Sequence, residues 1–346
     1  MADKKFFDLL QVYRGIAALL VVIHHTYTSF SYFKGLNFPP LEFIASIGKY
    51  GVDFFFVLSG FIIAFTTFRF RDNPNFLKKY TFNRIIRIYI PYLPISIGML
   101  ILYAIIPGFS DSNRSISLLT SLTLIPNGNP ALSVAWTLVF EMFFYLVYGL
   151  NFFSKKLWYG FLTLWICSII GVNIFDVDAK GAFANLVFNM YNLEFIFGVF
   201  VAYVVKSQII VKRNYSLLFA CLSFLVFLMI KILELKTFRF STNLLFAFSM
   251  GWFVYLAVKY WNVKMGNRSI AMLIGNSSYS LYLLHNPIQS FMVKLLPDLK
   301  QQYLILLEFT LVVIVCCIVS YLYYLVFEKK VLNKIKLKFE PVFIEK

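Results

Sequence analysis

An arginine and two histidines stand in one apolar run, RGIAALLVVIHH, at residues 14–25. Arginine is a permanent cation, and histidine is the side chain that titrates near neutrality. The two types suit holding an anion at one end and moving a proton at the other. Helix geometry chooses between the histidines. At 100° per residue, the eleven steps from Arg14 to His25 return to within about 20° of the start, whereas His24 lands about 80° away. Arg14, Ala18, Val21, His25 and Thr28 therefore share one stripe, with about 16 Å of helix axis between the guanidinium and the imidazole. His25 is the expected general base, and His24 is expected to be structural.

Further ionisable residues fall in apolar runs: Asp53, Glu141, Glu194, His285 and Glu308. A charge at the centre of a membrane helix costs at least about 2.5 kcal/mol on insertion scales, so each is a functional candidate. The run GVDFFFVLSGFII (51–63) sets Asp53 near the depth of His25. There it could hold the imidazole in one tautomer, as carboxylates do in catalytic triads; the competing reading is a carboxylate meeting a helix N-terminus. Ser59 and Gly60 lie deeper, read either as helix packing or as room for a ligand. AWTLVFEMFFY (135–145) buries Glu141, and SSYSLYLLHNP (277–287) buries His285 beside Ser278, Tyr279 and Tyr282. Both also fit structural hydrogen-bonding roles. FNRIIRIYIPY (82–92) sets Arg84 and Arg87 at i, i+3 on one helix face, preceded by Lys78 and Lys79. Two guanidinium forks on one face suit phosphates; snorkelling to the cytoplasmic interface is the plainer reading. Cys167, Cys221, Cys316 and Cys317 sit in apolar runs without ligand-like spacing, so neither a metal site nor a disulfide is expected.

The elements that must carry these groups are membrane helices. Hydrophobic residues make up 60% and charged residues 14%, where a soluble domain carries about 25% charged, and mean hydropathy is +0.76. Ten runs approach the length of a span: 9–30, 47–67, 83–106, 132–153, 157–174, 183–205, 215–232, 241–258, 272–293 and 303–327. The expected fold is all-α, a polytopic transmembrane bundle of about ten helices. A net charge of +16 would suggest nucleic acid in a soluble protein. Here the basic residues follow topology instead: with both termini cytoplasmic, 22 Lys and Arg lie inside and nine outside. The start MADKKFFDLL lacks a cleavage site and reads as the lead-in to a retained first helix. One domain is expected, with a core at 8–327, a basic cytoplasmic tail at 328–346 and no fused soluble domain. The longest outer loop, 107–131, carries PNGNP at 126–130 and is the natural place to meet something outside.

Taken in order, the Arg-x10-His first helix, GVDFFFVLSGF, the Arg-x-x-Arg opening the third span, WTLVFEMFFY and the late SYSLYLLH resemble the acyltransferase-3 family of integral membrane acyltransferases. The flavour is that of its bacterial exopolysaccharide and O-antigen O-acetyltransferases. The resemblance implies transfer of an acyl group, usually acetyl from acetyl-CoA, to a hydroxyl of a cell-surface or lipid-linked saccharide. It implies His25 as the essential histidine with Arg14 as its partner, and Arg84 and Arg87 as the donor-binding pair. Glu141 and the SGF segment holding Ser59 and Gly60 match positions tied to the site. It also implies an inner-membrane location in a bacterium. Whether transfer is direct or passes through an acyl-enzyme stays open. The rival class is a proton-coupled secondary transporter of a saccharide or lipid-linked intermediate, for which buried His, Glu and Arg are equally natural.

Overall fold

A computed structural model describes residues 4–106, 115–178, 180–207, 209–235, 241–261, 263–266 and 268–339, with the side chains of 4–7 left aside. The first part of the expected outer loop, 107–114, lies outside the described residues. Sixteen α-helices follow in chain order among them. They are α1 (Lys4–Lys34), α2 (Pro39–Gly48), α3 (Gly51–Thr67), α4 (Phe76–Ile105), α5 (Leu118–Thr123), α6 (Trp136–Tyr148), α7 (Leu150–Phe153) and α8 (Lys155–Ile174), then α9 (Ala182–Val187), α10 (Tyr191–Lys206), α11 (Arg213–Ile232), α12 (Ser241–Lys259), α13 (Ile270–Asn276), α14 (Ser278–Leu295), α15 (Gln302–Tyr323) and α16 (Leu332–Phe339). A π-helix, Tyr324–Val331, joins α15 to α16. No strand occurs among the described residues; Ile116 and Asn129 form an isolated parallel bridge.

Nine helical stretches among the described residues are long and apolar enough to cross a membrane. The tenth expected run, 272–293, is also helical, as α13 and α14. Its Asn276, Ser277, Ser278, Ser280, His285, Asn286 and Gln289 make it too polar to qualify on composition. That polarity faces inward, since Ser278, Ser280, His285 and Gln289 are all buried.

The helices form two compact units, each drawn from three stretches of chain. The first comprises Met1–Gln11, Val52–Leu77 and Phe140–Gly266. Here α3 and α10 approach until only glycine fits: a Cβ at Gly60 would lie 2.0 Å from the Phe195 carbonyl oxygen, and one at Gly198 would lie 2.1 Å from that of Val57. At one end, Asp72 accepts the Lys155 backbone N–H at 2.5 Å and pairs with its ammonium at 3.1 Å. That N–H holds the Asp72 carboxyl below the usual carboxylate range.

The second unit comprises Val12–Gly51, Lys78–Val139 and Asn267–Lys346. Gly15 of α1 meets the Gly275 backbone nitrogen of α13 at 2.8 Å from where its Cβ would be, so α1 and α13 lie backbone to backbone. Pro91 and Pro94 interrupt α4, since proline brings no N–H and crowds the preceding turn. Tyrosines serve carbonyls of that stretch: Tyr279 donates to Ile88 O at 3.2 Å and Tyr323 to Pro91 O at 2.7 Å. The loop ahead of α6 is tied down at α5, where Tyr92 and Ser96 both donate to Ser121 O at 2.7 Å. The Asn127 and Ala131 N–H groups bond the Thr120 and Ser121 hydroxyls.

Candidate active site

The second unit brings together most of the residues singled out for chemistry. Arg14 and His25 lie on α1, Arg84 and Arg87 on α4, and His285 on α14. The two imidazoles meet: His285 Nε2 stands 3.3 Å from His25 Nδ1, with ring centroids 5.1 Å apart. Each Nδ1 also faces the carbonyl one turn back in its own helix, His25 to Val21 O and His285 to Leu281 O, both at 3.1 Å. His285 is fully buried. His24 points elsewhere, with Nδ1 at 2.9 Å from Ala45 O of α2, which gives it the structural role its angle on the helix implies.

The partner that His25 has within the second unit is an imidazole. Asp53 belongs to the first unit, where Asn243 donates to its Oδ1 at 2.6 Å and Glu194 is hydrogen-bonded to it. Asp53 is 3% exposed and Glu194 1%. A hydrogen bond between two carboxyl groups requires a proton on one of them, so this pair forms a buried polar knot joining α3, α10 and α12. Glu141 also lies in the first unit and accepts hydrogen bonds from Ser59 at 3.0 Å and from Tyr145. Gly60, read either as helix packing or as room for a ligand, has the Phe195 carbonyl in the space beside it, which favours packing.

At the other end of the Arg14–His25 stripe stands a residue that the spacing of motifs passed over. Glu328, on the π-helix, accepts from the Ser280 N–H at 3.1 Å and from its hydroxyl at 2.5 Å. The charges of Arg14 and Arg87 both act on its carboxylate. Arg84 lies over the Tyr80 ring, its guanidinium carbon 5.8 Å from the ring centre. The end of α1 that begins with a cation is thus lined by guanidinium groups on two helices and braced by one carboxylate. A π-turn widens the helix locally and re-aims its side chains, which is why such turns gather at sites. In the sequence, Glu328 is hidden in EKK at the head of a basic tail; an acidic residue there was the available signal. Among the others, Glu308 of α15 is buried, with Lys34 and Asp298 acting on it, and does not join the histidine pair.

Chemically, the second unit offers cations with planar, bidentate geometry at one end of α1. At the other end it offers an imidazole paired to a second imidazole. The first set suits phosphate groups, and the second suits accepting a proton from a hydroxyl near neutral pH.

A family model described as an acyltransferase domain matches residues 7–325. The chain is 28% identical over 253 residues to the exopolysaccharide production protein ExoZ of Rhizobium meliloti (strain 1021), an alignment covering 69% of this chain and 76% of that protein. No solved structure matches it.

Proposed function

The chain belongs to the acyltransferase-3 family and is a multi-pass membrane acyltransferase, and from that premise we propose that it moves acetyl from acetyl-CoA to a hydroxyl of a cell-surface or lipid-linked saccharide, with His25 as general base. The observation that carries this reading is the content of the second unit. One helix there holds Arg14, whose charge acts with that of Arg87 on Glu328, and, eleven residues on, an imidazole paired to another imidazole. Coenzyme A presents several phosphates, and Arg14, Arg84 and Arg87 are the right groups to hold them. The printed name of the relative from Rhizobium, an exopolysaccharide production protein, favours a carbohydrate acceptor. The Lys and Arg distribution favours cytoplasmic termini and a donor site open to the cytoplasm, in the inner membrane of a bacterium.

The thioester supplies an acyl carbon already activated for attack. An alcohol attacks poorly until its proton has somewhere to go. As the hydroxyl oxygen bonds to the acyl carbon, the His25 imidazole takes that proton; the C–S bond breaks, and the proton then leaves His25 for the thiolate. General-base help of this kind contributes about 10²–10⁴-fold. In this reading Asp53 and Glu141 act through their hydrogen bonds within the first unit.

The test is mass spectrometry of surface glycans from cells carrying the wild-type chain or His25→Ala. The wild type should add acetyl groups, while the variant, at equal membrane level, should lose at least about 99% of them, the low end of the general-base contribution. Acetylation persisting near the wild-type level overturns the assignment of the base.

A further inference from the structure

We infer that His285 is the positioning residue for His25: its Nε2 lone pair accepts the His25 Nδ1 proton and so leaves His25 Nε2 as the basic nitrogen. The inference rests on the reading of His25 as the general base and specifies which nitrogen does the work.

The protons available to the two rings fix their tautomers. A carbonyl oxygen accepts hydrogen bonds and never donates them. His285 Nδ1 faces Leu281 O at 3.1 Å, so in the neutral ring that nitrogen carries the hydrogen. A neutral imidazole has one N–H, which leaves His285 Nε2 as a bare lone pair. That lone pair stands 3.3 Å from His25 Nδ1, which also faces Val21 O at 3.1 Å. His25 Nδ1 thus confronts two acceptors and must be the donor to both. Two contacts of this length fit a three-centre bond, a form common in helices. The other tautomer of His25 would aim a third lone pair at the two already there. A cationic His285 would remove that conflict by donating from Nε2. Its ring, however, is fully buried, and it hydrogen-bonds no carboxylate among the described residues, so the charge would be uncompensated.

The pair therefore does with an imidazole what triads do with a carboxylate: it sets tautomer and ring orientation. When His25 Nε2 takes the acceptor's proton, both its nitrogens are protonated and Nδ1–H keeps its bond to His285. The hydrogen bonds of the pair among the described residues go to carbonyls and to each other, with no carboxylate to hold the new cation, so the proton can leave from Nε2. His24, whose ring centroid is 5.0 Å from that of His25, is turned to Ala45 O and takes no part.

The chain has three histidines, so histidine-selective ¹⁵N labelling in liposomes gives a readable spectrum, assigned with His24→Asn and His285→Ala. The expected wild-type result is a protonated Nδ1 and an unprotonated Nε2 on His25. His285→Ala should scramble that tautomer and lower kcat by at least about tenfold, part of the general-base term, with KM for acetyl-CoA unchanged. His285→Gln places an amide oxygen where Nε2 stood, and should restore both the tautomer and most of kcat. A wild-type His25 protonated on Nε2, or a tautomer indifferent to His285→Ala, overturns the inference whatever His25→Ala does. Transfer that survives His25→Ala overturns the base assignment while leaving the tautomer result standing, so the two failures are told apart.

Discussion

A guanidinium keeps its proton under all conditions a protein meets, while an imidazole gives up and takes one near neutrality. The stripe from Arg14 to His25 separates those two abilities along one helix, and the residues around each end extend its role. At the cation end, Arg84 and Arg87 lie i, i+3 on α4, and the charges of Arg87 and Arg14 both act on Glu328. Charge-assisted hydrogen bonds are worth about 1.5–3 kcal/mol each. Replacing both arginines by alanine should therefore weaken acetyl-CoA binding, measured by calorimetry, by at least about tenfold and flatten its dependence on salt; an unchanged Kd would remove them from the donor site. At the imidazole end, chemistry depends on which nitrogen is bare, which spacing alone does not specify. Gly60 is the contrary case. Its place in LSGF invites a functional reading, but the carbonyl of Phe195 occupies the space beside it.

At the scale of elements, the irregular pieces do the positioning. The π-helix after α15 sets Glu328 against Ser280 of α14, within reach of the charges of Arg14 and Arg87. Tyrosines of α14 and α15 donate to the Ile88 and Pro91 carbonyls of α4. A regular α-helix through 324–331 would turn Glu328 to another direction, since each π-turn adds a residue per hydrogen-bonded ring. Glu328→Ala leaves two Ser280 donors without an acceptor, at a cost of about 1–3 kcal/mol. Glu328→Gln keeps an acceptor oxygen while dropping the charge. The melting temperature in detergent should fall in the order wild type, Gln, Ala. Coincident melting of wild type and Ala would show that the carboxylate braces nothing.

At the scale of the molecule, the family assignment spans both units, and the basic residues favour cytoplasmic termini. A fluorescent protein fused after Lys346 should glow, and a reporter active only outside the cytoplasm should stay silent; the reverse pattern would invert the orientation. The membrane class and the places of the helices were legible in the chain because hydropathy and the 3.6-residue period are local properties. So was the family, whose motifs lie in order along the sequence. What touches His25 was not legible. Its partner within the second unit lies 260 residues away, and in the first unit Asp53 is bonded by Asn243, 190 residues away. Depth in a bilayer follows from counting residues along one helix. Which helix faces it, and which of that helix's side chains arrives there, follows from how backbones pack where Gly15 meets Gly275 and Gly60 meets Phe195, and only the tertiary structure decides that.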